Sequence, residues 1–128
     1  MFIIKYPLIM KSLRLSLILL CLFGGIYAQD LAVKDLTCEH KKDPIGIDAK
    51  QPRFSWKIYG TGNSILQSAY SIRVSTDRKF SSAKIVWQSG KTESDESILK
   101  VYEGTDLKSG QRYFWQIKIW DNKGRESK

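Results

Sequence analysis

From Leu31 onward, apolar and polar residues alternate in short runs separated by turn chemistry. In RFSWKI, Arg53–Ile58, the side chains of Phe54, Trp56 and Ile58 fall on one face, and Arg53, Ser55 and Lys57 on the other. In QSAYSIRVSTD, Gln67–Asp77, Tyr70, Ile72 and Val74 oppose Ser71, Arg73 and Ser75. In YFWQIKIW, Tyr113, Trp115, Ile117 and Ile119 oppose Phe114, Gln116, Lys118 and Trp120. A period of two marks a half-buried β-strand. Three shorter runs, Leu31–His40, Ile85–Gly90 and Ile98–Gly104, bring the predicted strands to six. Between them stand Pro44, Gly46 and Pro52, the turn GTGN at Gly60–Asn63 and the polar loop KTESDES. The connection KFSSAK has room for a single helical turn, and no stretch carries an amphipathic helical period.

Evenly spaced strands with turns between them predict an all-β sandwich. Its inward set is Phe54, Trp56, Ile58, Tyr70, Ile72, Val74, Val86 or Trp87, Leu99, Val101, Tyr113, Trp115, Ile117 and Ile119. Full burial of such a side chain contributes about 1.5–3 kcal/mol, against an ordering cost of similar total size.

The 128 residues suggest one domain, and the first 28 read as a segment apart from it. Lys5, Lys11 and Arg14 accompany an apolar run, Leu13–Phe23, followed by Gly24, Gly25, Ile26, Tyr27 and Ala28. That order describes a secretory signal peptide over 1–28, with Met10 as an alternative start. The run is shorter than the roughly 20 residues a membrane span needs. A lipid anchor at Cys21 and a retained anchor are the alternatives, although Leu20 is bulky where lipid attachment calls for a small residue. The signal reading predicts an exported protein, periplasmic or extracellular, free of the membrane after cleavage, with the sandwich over 29–128.

Without that segment, eighteen basic and thirteen acidic residues remain, a net charge of +5. The lysines are scattered, so no basic patch for nucleic acid forms in the sequence. Cys38 is the one cysteine left and His40 the one histidine. A lone cysteine makes no internal disulfide and reads as a small buried hydrophobe near the first strand. The pair falls short of the about four ligands of a structural zinc site. His40 has no nucleophile motif beside it. No cofactor is implied.

Leu107, five residues and then Tyr113 resembles the tyrosine corner of fibronectin type III and immunoglobulin-like sandwiches. There a Tyr hydroxyl returns to backbone a few residues upstream. DNKGRES, Asp121–Ser127, resembles the loop into the last strand of such a domain, and that strand is missing from the sequence.

A narrower resemblance covers nearly all of 29–128. Its segments are Pro44–Asp48, Pro52–Trp56, Gln67–Tyr70, Trp87, Ser89-Gly90, Ser94-Asp95, and Trp120-Asp121 with Gly124. In this order they resemble the N-terminal domain of bacterial α-L-rhamnosidases. The resemblance implies a module of a glycoside hydrolase that removes terminal α-L-rhamnose by inversion on an (α/α) barrel several hundred residues downstream. No catalytic residue of that barrel has a counterpart here. The partners it implies are the downstream domains and rhamnose-containing glycans.

Glycoside cleavage needs two carboxyl groups about 5–10 Å apart across a cleft. The neighbours Asp95 and Glu96 point to opposite faces of an extended chain, so they do not form such a pair. Asp48 and Asp121, near turns, read as bonding local amides. The aromatic residues outside the inward set are the better candidates: Trp120, Phe114 and, ambiguously, Trp87. They cover a second layer of the domain's own core, pack on a neighbouring domain or strand, or hold a glycan. Exposed apolar patches usually mark protein contacts, which favours the second role over a carbohydrate-binding or adhesion module at a cell surface.

An absent last strand leaves a long aromatic strand at a sheet edge, an invitation to strand addition. The isolated chain is therefore expected to self-associate in sedimentation experiments. An extension of about 10–20 residues, one strand and its turn, should restore a monomer. A sharply melting monomer without the extension would count against this.

Overall fold

The computed structural model describes residues 31–128; the signal peptide expected over 1–28 lies outside the described residues. Among the described residues seven strands form two antiparallel sheets. The first sheet has the order β1 (Leu31–Cys38), β2 (Arg53–Gly60) and β6 (Lys100–Val101). The second is built around β3 (Gln67–Ser75). One edge of β3 carries β4 (Ile85–Gln88) and β5 (Thr92–Glu93), and the other carries β7 (Phe114–Asp121).

The period of two explains the packing. Tyr70, Ile72 and Val74 on β3 stand opposite Ile119, Ile117 and Trp115 on β7. Their shared face meets Phe54 and Trp56 from β2. Three aromatic pairs cross between the layers: Phe54–Trp115 at 4.5 Å, Trp56–Tyr70 at 5.3 Å and Trp87–Tyr102 at 5.1 Å between ring centroids. Such a pair contributes about 0.5–1.5 kcal/mol beyond its buried area. Leu31, Cys38, Ala69 and Ile119 complete the interior.

The polar handles of the buried rings are matched. Trp56 Nε1 donates to Gln67 Oε1 at 2.9 Å, and the Gln67 amide donates to the carbonyls of Ser94 and Glu96. Tyr102 Oη donates to the Thr105 carbonyl at 2.8 Å. Cys38 is buried, and desolvation first, with Glu39 beside it, pushes its thiol up to about 11.

The structure differs from the expected pattern in three places. The strand expected over Ile98–Gly104 shrinks to two residues, and its phase slips. Leu99 takes a left-handed φ of 53°, which turns Val101 outward at 43 % exposure and brings Tyr102 inside at 0 %. Leu99 and Val101 therefore leave the inward set as it was expected, and Tyr102 takes their place. The polar loop contains a short strand, β5, whose residues pair with Ala69 and Tyr70. The Asp121–Ser127 loop is a tight hairpin: Glu126 bridges back to Trp120, and Ser127 N–H donates to the Ile119 carbonyl. The rest of that edge of β7, Phe114 to Lys118, has no partner strand among the described residues. Lys128 N–H reaches the Leu31 carbonyl at 3.2 Å. The KFSSAK connection holds one 3-10 turn, Ser82–Lys84.

Gly104 lies against the buried Tyr102 ring. A Cβ there would overlap the ring's hydroxyl end and come 2.8 Å from Trp87 Cβ. Both rings are held in the core, so neither yields easily. Gly104→Ala is expected to cost about 1–3 kcal/mol of stability by overpacking, read from chemical denaturation. A change within about 0.5 kcal/mol, typical of an unconstrained surface site, would show that the rings do move.

Candidate interaction surfaces

Each sheet turns an outer face to solvent. On the β3–β7 sheet, Phe114 and Trp120 stand on that face near opposite ends of β7, both half-buried. At a rise of about 3.4 Å per residue the two rings lie roughly 20 Å apart along the strand. Trp87 does not join them: its ring packs against Tyr102, on the core side.

Cations lie over these rings. Lys91 Nζ is 4.8 Å and Lys118 Nζ 5.7 Å from the Trp120 centroid, and Arg78 is 5.4 Å from that of Phe114. Between them Arg73 lies 5.8 Å from Phe80 and donates to its carbonyl. Glu126 ties the Trp120 end together, accepting from Trp120 Nε1 at 2.9 Å and from Lys118 at 2.8 Å. Lys118 first, then Trp120, holds its carboxyl below the usual range.

Two aspartates shape the loops that bring these groups together. Asp77 accepts from Ser81 N–H at 3.1 Å and Ser81 Oγ at 2.7 Å, which folds the loop carrying Arg78 and Phe80. Asp121 is buried and accepts from the amides of Lys123 and Arg125 and from Arg125 Nε at 2.6 Å. Burial opposes its ionisation, but the Arg125 guanidinium and the two amides outweigh burial and hold the carboxyl below its ordinary value.

At the tyrosine corner, Lys108 N–H donates to Tyr113 Oη at 3.0 Å, and Leu107 packs against the core. Asp48 lies exposed, well away from β7 in the sequence. Asp95 is exposed, and Glu96 pairs with Lys100, whose ammonium holds it below the usual range.

The outer face of the β1–β2 sheet carries a shallow groove of about 830 Å³ rimmed by Asp35, His40, Lys42, Lys57, Tyr59 and Ile98. Asp35 sits at the β1 bulge with a φ of 51°. It accepts from Lys42 at 3.1 Å and Tyr59 at 3.2 Å and pairs with Lys57 at 3.2 Å. Both lysines of the rim are thus drawn onto Asp35. Among the described residues no group of three or more His, Cys, Asp or Glu side chains converges as a metal site.

The alternation of β7 places Phe114, Lys118 and Trp120 outward, and the other cations come from Arg73 on β3 and from loop residues. Arg73 was legible as an outward position of β3. Lys91 and Arg78 carried no signal, because loop geometry brings them in.

A family model described as Rha78A-like, N-terminal immunoglobulin domain matches residues 33–128. An α-L-rhamnosidase of Streptomyces avermitilis is 40 % identical over 97 residues, 76 % of this chain and 9 % of that protein. One of Formosa agariphila is 43 % identical over 89 residues, 68 % of this chain and 9 % of that protein. The crystal structure of the Streptomyces avermitilis enzyme complexed with L-rhamnose aligns with a TM-score of 0.73 at 40 % identity, over 77 % of this chain and 10 % of that one. The α-L-rhamnosidase structure from Dictyoglumus thermophilum aligns with a TM-score of 0.70 at 36 % identity, over 76 % and 11 %. The chain thus spans 9 % of the length of these curated relatives.

The depressed Asp121 carboxyl makes the hairpin acid-sensitive. Its unfolded-state pKa is about 3.9, so the stabilisation is fully present above that pH and lost as pH falls through the lower native value. Asp121→Asn is expected to lower stability at neutral pH and to flatten the loss of stability below about pH 4. Denaturation midpoints measured across that range check it; an unchanged acid slope would contradict it.

Proposed function

Because the chain belongs to the Rha78A-like N-terminal immunoglobulin domain family, we propose that it is the non-catalytic front module of a secreted α-L-rhamnosidase, packing against the rest of that enzyme. The observation that carries this reading is the relation of the chain to its relatives. It matches 9 % of their length, and that part folds as a sandwich whose interior is filled by its own aromatic pairs. Export rests on the signal-like order of residues 1–28. Four of the chain's carboxylates, Asp35, Glu39, Glu96 and Asp121, are each engaged by a lysine or arginine, which supports a role without catalysis.

A sugar-binding role for Trp120 is the weaker reading. Stacking on a sugar uses a bare ring face, and two ammonium groups lie over this ring.

The chain alone is expected to turn over no aryl α-L-rhamnoside and to give no heat with L-rhamnose in calorimetry. Residues 31–128, exchanged for the matching 97 residues of the Streptomyces avermitilis enzyme, should preserve turnover and melt together with the rest in one transition. Turnover by the chain alone would overturn the non-catalytic assignment. Two independent melts in the exchanged protein would overturn the packing.

A further inference from the structure

The two outer faces treat their cations differently. On the β1–β2 side the positive groups are spent on carboxylates: Arg53 on Glu39 at 2.7 Å, Lys42 and Lys57 on Asp35 at 3.1 and 3.2 Å. On the β3–β7 side Lys118 has such a partner in Glu126, and Arg125 has one in the buried Asp121 at the end of β7. Arg73, Arg78 and Lys91 have no carboxylate within ion-pair distance among the described residues, and each lies over an aromatic ring instead. Arg78 and Lys91 are exposed, at opposite ends of the row.

We propose that the outer face of the β3–β7 sheet is a docking surface for a carboxylate-bearing protein surface, with Arg78–Phe114 and Lys91–Trp120 as its two anchor points. A cation on a ring is held more strongly once water is excluded. A covering partner supplies that exclusion, and its carboxylates complete the charge pairing the face lacks. Aromatic and arginine side chains in desolvated pockets are the usual carriers of interface energy. The partner's acidic groups would stand roughly 20 Å apart, the span of β7 between the anchors. A protein fits better than an acidic polysaccharide because the ring faces that would stack on sugar are occupied by cations. Under the proposed function, on which this rests, the partner surface belongs to the rest of the same enzyme.

A short poly-L-glutamate, titrated into the isotope-labelled full chain at low salt, is the probe. It is expected to shift the Trp120 indole N–H and the β7 amides, and to lose affinity as salt rises. Arg78→Glu with Lys91→Glu should weaken it at least about tenfold, and Lys42→Glu with Lys57→Glu less than about twofold, since only the first pair would meet the acidic probe. All four side chains are exposed, and melting curves confirm that each variant folds. Shifts on the β1–β2 face, equal weakening by both pairs, or no binding would overturn the proposal. Tighter binding of an oligogalacturonate on the same face would also overturn it, in favour of a polysaccharide ligand. Failure here leaves the packing reading standing, because that reading falls only with the melting behaviour of the exchanged enzyme.

Discussion

A core only two layers thick, filled by large rings that carry polar groups, has to satisfy those groups without water. Trp56 is the centre of that constraint. Its indole N–H ends on Gln67, and the remaining Gln67 donors end on the Ser94 and Glu96 carbonyls. One side chain therefore joins β2 to β3 and pins the loop between β5 and β6. A buried donor left unmatched costs about 1–3 kcal/mol, comparable with the gain from burying the ring itself. Tyr102 and Tyr113 follow the same logic, one spending its hydroxyl on a carbonyl and the other receiving an amide. The aromatic pairs can cross between sheets because their polar ends are already placed.

Alternation revealed β2, β3 and β7 because each lies with one face on this core and one on solvent. It failed where other forces decide. β5 is two polar residues, Thr92 and Glu93, held by β3's edge and by the Ser94 amide on the Ser68 carbonyl. No pattern in so short a run marks a strand. The slip at Leu99 turns on a single left-handed residue, which a strict period cannot represent. The hairpin at Asp121 was legible as turn chemistry, but its Arg125 partner and the Glu126 bridge depend on how tightly the chain turns back. On the outer face the rings were legible from β7, and the loop cations were not.

The two faces give the module a direction. One has its charges closed on themselves around Asp35, in a groove that strain at the β1 bulge helps to shape. The other keeps cations on rings, supported from beneath by Asp77 and Asp121, which are themselves fully engaged. Asp35, Glu39, Glu96, Asp121 and Glu126 are each held by a cation, and the chain matches 9 % of the length of its relatives.

The hydrogen bond from Lys128 N–H to the Leu31 carbonyl brings the two ends of the described residues side by side, next to β1 and β7. Neighbouring ends are what let a domain be inserted or exchanged with little displacement of what flanks it.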